Sequence, residues 1–143
     1  MKKPDWRHQA REAALQVLYQ WEVGKIDVPL AADTFFGRQW ADPLPPSEDL
    51  RLFAEALASG TVARLEPIDA IIAETAQHWR PERFAIVDRI ILRMAVCELL
   101  RSPETPHAVV IDEALELART FSTEEAVKFI NGMLDAIRKK LER

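Results

Sequence analysis

The stretch Phe84 to Leu100, FAIVDRIILRMAVCELL, constrains this chain more than any other. Its apolar residues, Phe84, Ile86, Val87, Ile90, Ile91, Leu92, Met94, Val96 and Leu99, fall on nearly every side of a helical wheel. A helix that is apolar almost all round belongs in the middle of a helical protein. Asp88, Arg89, Arg93 and Glu98 interrupt it, and a buried charge is costly without a partner. These four charges therefore either tie the helix to its neighbours or reach a working surface. Arg93 and Glu98, set among apolar residues, read as internal ties to the last two helices, with Asp112, Glu113, Asn131 or Asp135 as partners. Arg93 is thus expected to be a structural clamp. Asp88 and Arg89, nearer the exposed start, read as a partner surface or as salt bridges between helices.

The other segments are helical too. From Trp6 to Val23 the apolar positions Ala10, Ala13, Ala14, Val17, Leu18 and Trp21 recur at three- and four-residue steps, with Pro4 and Asp5 at the start and Gly24 as the stop. Asp27-Val28-Pro29 opens a short second helix through Ala31, Phe35, Phe36 and Trp40. Three prolines within Asp42–Pro46 impose a loop. Ser47 then starts a third helix with a buried stripe of Leu52, Phe53, Ala56, Leu57 and Gly60. Pro67 separates it from a fourth, Ile68 to Trp79, with Ile68, Ile71, Ile72, Ala76 and Trp79 inward. After the central helix come His107 to Phe121, with Ile111, Leu115, Ala118 and Phe121 as its core stripe, and Thr123 to Leu141. Gly132 within the last helix implies close approach of another backbone. Only four glycines in 143 residues, and no alternating strand pattern, complete an all-α reading. The expected fold is a seven-helix bundle made of two small helical sub-bundles, one domain over residues 1–143.

Charge narrows the function classes. A net charge of −4 argues against indiscriminate coating of nucleic acid, although both ends are mildly basic. The lone Cys97 fits a reducing cytosol and reads as a small core residue. The N-terminus has no apolar segment of the signal-peptide kind, and charges cut every apolar run short of a membrane span. A cytoplasmic protein with no membrane partner is expected.

Catalytic and metal-binding signatures are missing from the sequence. His8, His78 and His107 have no ligand spacing, and no CxxC, HExxH, glycine-rich phosphate loop or GxSxG occurs. Adjacent Asp112 and Glu113 point about 100° apart on a helix, so they share no site. The reading is a non-enzyme without metal or cofactor. Binding signals are modest. Lys2, Lys3, Arg7 and Arg11, with Trp6 and Tyr19 nearby, could hold single-stranded RNA through phosphate contacts and base stacking. The same residues also read as a solvated end, with Trp6 and Trp21 as core anchors.

The segments RHQAREAALQVLYQWE, DRIILRMAVCEL, PHAVVIDEALELARTFS and KFINGMLDAI together resemble the NusB family of bacterial transcription antitermination factors, in the family's order and over essentially the whole chain. That resemblance implies a non-catalytic protein that pairs with NusE, a small-subunit ribosomal protein, on boxA-type single-stranded RNA. The assembly acts within the RNA polymerase antitermination complex, notably during ribosomal RNA synthesis. By position, Arg7, His8 and Arg11 fall in the family's arginine-rich RNA-contacting segment. Tyr19, Glu125, Lys128 and Phe129 fall on its further RNA side, and Asp88 with Arg89 lies on the helix offered to NusE. The resemblance leaves monomer and homodimer both open.

The same domain also precedes ribosomal RNA cytosine methyltransferases. With no methyltransferase domain in the sequence, the free-standing factor is the expected match. A pure protein adaptor is the alternative from another class, because Asp5, Trp6, His8 and Gln9 dilute the arginine run. With about three or four phosphate contacts at roughly −0.7 each, the slope of log affinity against log salt should be only about −2 to −3.

Overall fold

The computed structural model describes residues 5–76 and 80–143. Among them are seven α-helices and no strand: α1 (Trp6–Gly24), α2 (Val28–Thr34), α3 (Glu48–Ala63), α4 (Leu65–Thr75), α5 (Ile86–Arg101), α6 (His107–Phe121) and α7 (Glu124–Lys140). The chain divides into two compact units, Met1–Gly60 and Thr61–Arg143. This bears out the all-α fold of two small sub-bundles. No helix among the described residues is long and apolar enough to cross a membrane. The expectations for Lys2, Lys3, Pro4, His78 and Trp79 lie outside the described residues.

In the first unit, Asp5 caps α1, its Oδ1 accepting from the Arg7 N–H at 3.0 Å. One orphan donor of the first turn is thereby satisfied. The expected stripe of Ala10, Ala13, Ala14, Val17 and Leu18 is buried, and Leu15 joins it, while Trp21 is only half-buried. The helix stop differs from expectation. Gly24 is the last helical residue, and Lys25 takes the left-handed conformation at φ 56°. A Cβ at Gly24 would lie 3.2 Å from Ile26 Cδ1, so the Ile26 side chain would have to shift by a few tenths of an ångström.

Asp27 caps α2 through the Leu30 N–H at 3.1 Å, with Pro29 in the first turn. The second helix does not run on to Trp40 as an α-helix. It widens into a π-helical turn, Phe35–Gln39. This turn buries both Phe35 and Phe36, which meet edge-on at 5.1 Å and both pack on Trp40.

Ser47 Oγ accepts from the Leu50 N–H at 3.1 Å, which starts α3 where its sequence signature lies. The buried stripe of α3 needs correction. Leu50, Ala54, Leu57, Ala58 and Gly60 are buried, whereas Leu52 is 56% exposed and Ala56 is exposed. The true face follows regular helical spacing but is built on small alanines, which carry little hydrophobic signal.

In the second unit, α4 begins three residues before Ile68, with Pro67 inside its first turn. Proline is tolerated there because the first N–H groups have no intrahelical acceptor. Ile68 and Ile72 are fully buried. The central helix starts at Ile86, so Phe84 lies before it, just after a 3₁₀ turn at Pro81–Arg83. Every residue from Ile90 to Leu99 is buried. Helix α5 packs on α4, α6 and α7.

Arg93 is a buried clamp, and it grips Asp69 on α4, a partner not among the expected candidates. Glu98, equally buried, is engaged as well. Thr123 caps α7 through the Ala126 N–H at 3.1 Å. Ile111, Leu115 and Ala118 are buried as expected, but Phe121 ends α6 38% exposed. Gly132 is exposed, and a Cβ there would meet nothing within 4 Å. Among the described residues no other backbone comes within 4 Å of that position, contrary to the reading from sequence.

Candidate nucleic-acid interface

Helix α1 turns through about 100° per residue. Arg7, His8, Arg11 and Tyr19 therefore issue from one sector of its wheel, but their side chains divide. Arg7 is exposed, with its guanidinium 4.7 Å from the Trp6 ring centroid. Trp6 in turn meets Phe53 edge-on at 5.8 Å. Trp6 is thus an anchor on α3 that carries Arg7 at the surface. Tyr19 is 43% exposed, two turns beyond Arg11. Half-buried His8 sits with its Nε2 2.9 Å from Glu12 Oε1.

Arg11 departs most from the expectation. It is 3% exposed, and its guanidinium lies over the Phe53 ring at 5.2 Å. A planar cation stacked on an aromatic face and removed from water orients its surroundings; it does not present itself to a phosphate. The sequence places Arg7 and Arg11 one turn apart but cannot tell which of them Phe53 covers.

In the second unit, Glu125, Lys128 and Phe129 share one exposed face of α7, at the i, i+3, i+4 spacing that makes helix neighbours. Phe129 is 36% exposed and stacks on Phe84, with centroids 5.4 Å apart and planes at 19°. One ring face is thereby occupied within the protein. Glu125 lies in the first turn, where the helix dipole favours a carboxylate.

Asp88 and Arg89 are both half-buried and engaged. Asp88 Oδ1 accepts from the Ser122 hydroxyl at the α6–α7 turn. Arg89 Nη1 donates to the Pro81 carbonyl at 2.8 Å and to that of Phe84 at 3.3 Å. Arg89 therefore fixes the 3₁₀ turn ahead of α5.

The basic C-terminal end is also spoken for. Arg138 and Lys139 both reach Asp135, at 3.1 Å each, and this holds the Asp135 carboxyl below the usual carboxylate range, the Lys139 hydrogen bond contributing most. Lys140 Nζ donates to the Glu74 carbonyl at 2.9 Å, closing the C-terminus of α4. Arg143 donates to the carbonyls of Leu99, Ser102 and Thr105 where α5 ends. Cations at helix C-termini satisfy orphan carbonyls and oppose the negative end of the dipole. Sequence reasoning missed these contacts, because spacing along α7 says nothing about which helix ends lie beneath it. Among the described residues no group of His, Cys, Asp or Glu could hold a metal ion.

The pattern that defines the NusB family matches residues 8–139. The chain belongs to the NusB family. The transcription antitermination protein NusB of Koribacter versatilis is 44% identical over 140 residues, which cover 98% of this chain and 93% of that protein. The solved NusB of T. maritima superposes with a TM-score of 0.83 at 32% identity, covering 97% of this chain and 93% of that one. A structure of antitermination factors NusB and NusE in complex with double-stranded RNA matches at a TM-score of 0.78 and 30% identity, covering 96% and 99%. The fold and the order of helices expected from the NusB resemblance are thus both found.

Proposed function

We propose that this protein is a non-catalytic transcription antitermination factor that binds boxA-type single-stranded RNA together with NusE. It works within the RNA polymerase antitermination complex in the cytoplasm, notably on ribosomal RNA operons. Residues 1–143 act as one RNA-binding domain. The observation that carries this reading is the family match over residues 8–139, joined to the related NusB crystallised with NusE and RNA.

On the RNA side, Lys2, Lys3 and Arg7 supply phosphate contacts and Tyr19 a stacking surface. His8 adds a polar contact, and Arg11 supports the segment from beneath through Phe53. Glu125, Lys128 and Phe129 supply a second set, with the Phe129 edge and outer face open to a base. Asp88 and Arg89 shape the start of α5 for NusE. Exposed aromatics favour unpaired bases, whose faces can stack on them.

RNA titrations of single variants test this. Tyr19→Ala should weaken binding by about 1–3 kcal/mol, roughly five- to 150-fold, without changing the salt dependence. Arg7→Gln should reduce the salt slope by about 0.7. Wild-type affinity and slope in both variants, with folding intact by circular dichroism, would overturn the assignment. A protein adaptor without RNA affinity is the second reading, favoured by the buried Arg11 and the engaged C-terminal cations. Binding to NusE with no RNA affinity in either state would select it.

A further inference from the structure

A cleft of about 240 Å³ opens in the first unit, between α1 and the π-helical turn with its following loop. One wall is a stripe of α1, Gln9, Glu12 and Gln16; the facing wall is Gln39, Trp40 and Asp42. None of the described residues assigned to RNA or to NusE lines it. Its back is closed by buried Phe35, against which Trp40 packs edge-on at 6.2 Å.

The facing wall is held in place. Trp40 Nε1 donates to the Leu44 carbonyl at 2.7 Å, and Asp42 Oδ1 accepts from the Leu44 N–H at 3.0 Å. Gln39 Oε1 accepts from Gln20 Nε2 at 2.6 Å, tying the turn back to α1. The π-helical turn itself, a feature frequent at functional sites, sets these side chains opposite α1.

The cleft's chemistry selects its occupant. It offers two carboxylates, three amide side chains and an indole, and among the described residues no lysine or arginine lines it. Acceptors and an aromatic wall without a basic group favour a planar cation and oppose an anion. Glu12 keeps a second oxygen beyond the one facing His8, and Asp42 one beyond its loop bond. A nucleotide could stack there, but its phosphate would face Glu12 and Asp42 with no lysine or arginine among the described lining residues to offset them. The volume suits one side chain and is below that of a drug-sized site.

We propose that this cleft is a docking site for a single arginine side chain of a partner protein, whose guanidinium is held by Glu12 and Asp42 beside Trp40. The site is independent of the RNA reading and would stand if that reading fell.

The test is a titration of the isotope-labelled full chain with N-acetyl-arginine amide, followed by nuclear magnetic resonance at the Trp40 indole N–H and the Gln9, Gln16 and Gln39 side-chain amides. Saturable shifts with a dissociation constant on the order of 1–10 mM are expected, as befits a single side chain. In Glu12→Gln/Asp42→Asn, which keeps one acceptor oxygen on each side chain and with it the loop turn, affinity should fall at least about tenfold. The corresponding lysine compound should bind more weakly. The proposal is overturned if these signals do not move, if lysine or cytidine monophosphate moves them as strongly, or if the double variant binds arginine as before.

Discussion

The Arg93 guanidinium grips Asp69 through two parallel hydrogen bonds, Nε to Oδ1 and Nη2 to Oδ2, each 2.9 Å long. The arginine side chain is 7% exposed and the aspartate 25%. Removing one partner of a fully buried pair costs about 3–5 kcal/mol; partial exposure of Asp69 brings the expected loss for Arg93→Ala to about 2–3 kcal/mol. Urea unfolding should show it, while RNA affinity per folded molecule stays unchanged. An unaltered midpoint, or lost RNA binding at full stability, would remove Arg93 from the scaffold.

Gly132 leads to a prediction of the opposite sign. It lies mid-helix on α7 with open space where a Cβ would stand. Gly132→Ala should stabilise the protein by about 0.5–1 kcal/mol, since alanine loses less backbone entropy on folding. A raised melting temperature is expected. A raised melting temperature accompanied by weaker NusE or RNA binding would show that the open surface is used by a partner.

Burial pushes the Cys97 thiol above its ordinary value, with a hydrogen bond to Thr61 opposing in part. The folded protein therefore favours the protonated thiol. Its contribution to stability is whole below the unfolded thiol pKa and is lost as pH rises through the folded one. Labelling with a disulfide reagent at about pH 8, below the usual thiol pKa, should be far slower for the native protein than for the unfolded chain. Rapid native-state labelling would contradict the buried, inert role.

The two ends of the chain were equally basic on paper, and the structure separates them. At the C-terminus, Lys140 and Arg143 close the ends of α4 and α5. Lys140→Gln with Arg143→Gln should lower stability by about 1–2 kcal/mol in total. The salt slope of RNA binding should not change. A fall of about 0.7 per residue in that slope would return these cations to the RNA.

The helices were legible because caps and periodicity are local. Asp5, Asp27, Ser47 and Thr123 all cap where their residue types suggest. Burial of the central helix was legible because no amphipathic alternative fits FAIVDRIILRMAVCELL. What depends on distant chain was not. Asp69 as the partner of Arg93, Phe53 beneath Arg11 and the helix ends under Lys140 and Arg143 are set by packing between helices, which no spacing encodes. The alanine-lined face of α3 was hidden for a simpler reason: small residues pack closely without announcing it by hydrophobicity.

On the function proposed above, RNA binding rests on a thinly charged N-terminal segment and leans on NusE. Fluorescence anisotropy with a labelled boxA-type RNA, with and without NusE across a salt series, measures it directly. Weak binding by the protein alone is expected, with a slope of about −2 to −3, and markedly tighter binding once NusE is added. Single-stranded RNA should be preferred to a duplex of the same sequence. No binding in either state at low salt would contradict it.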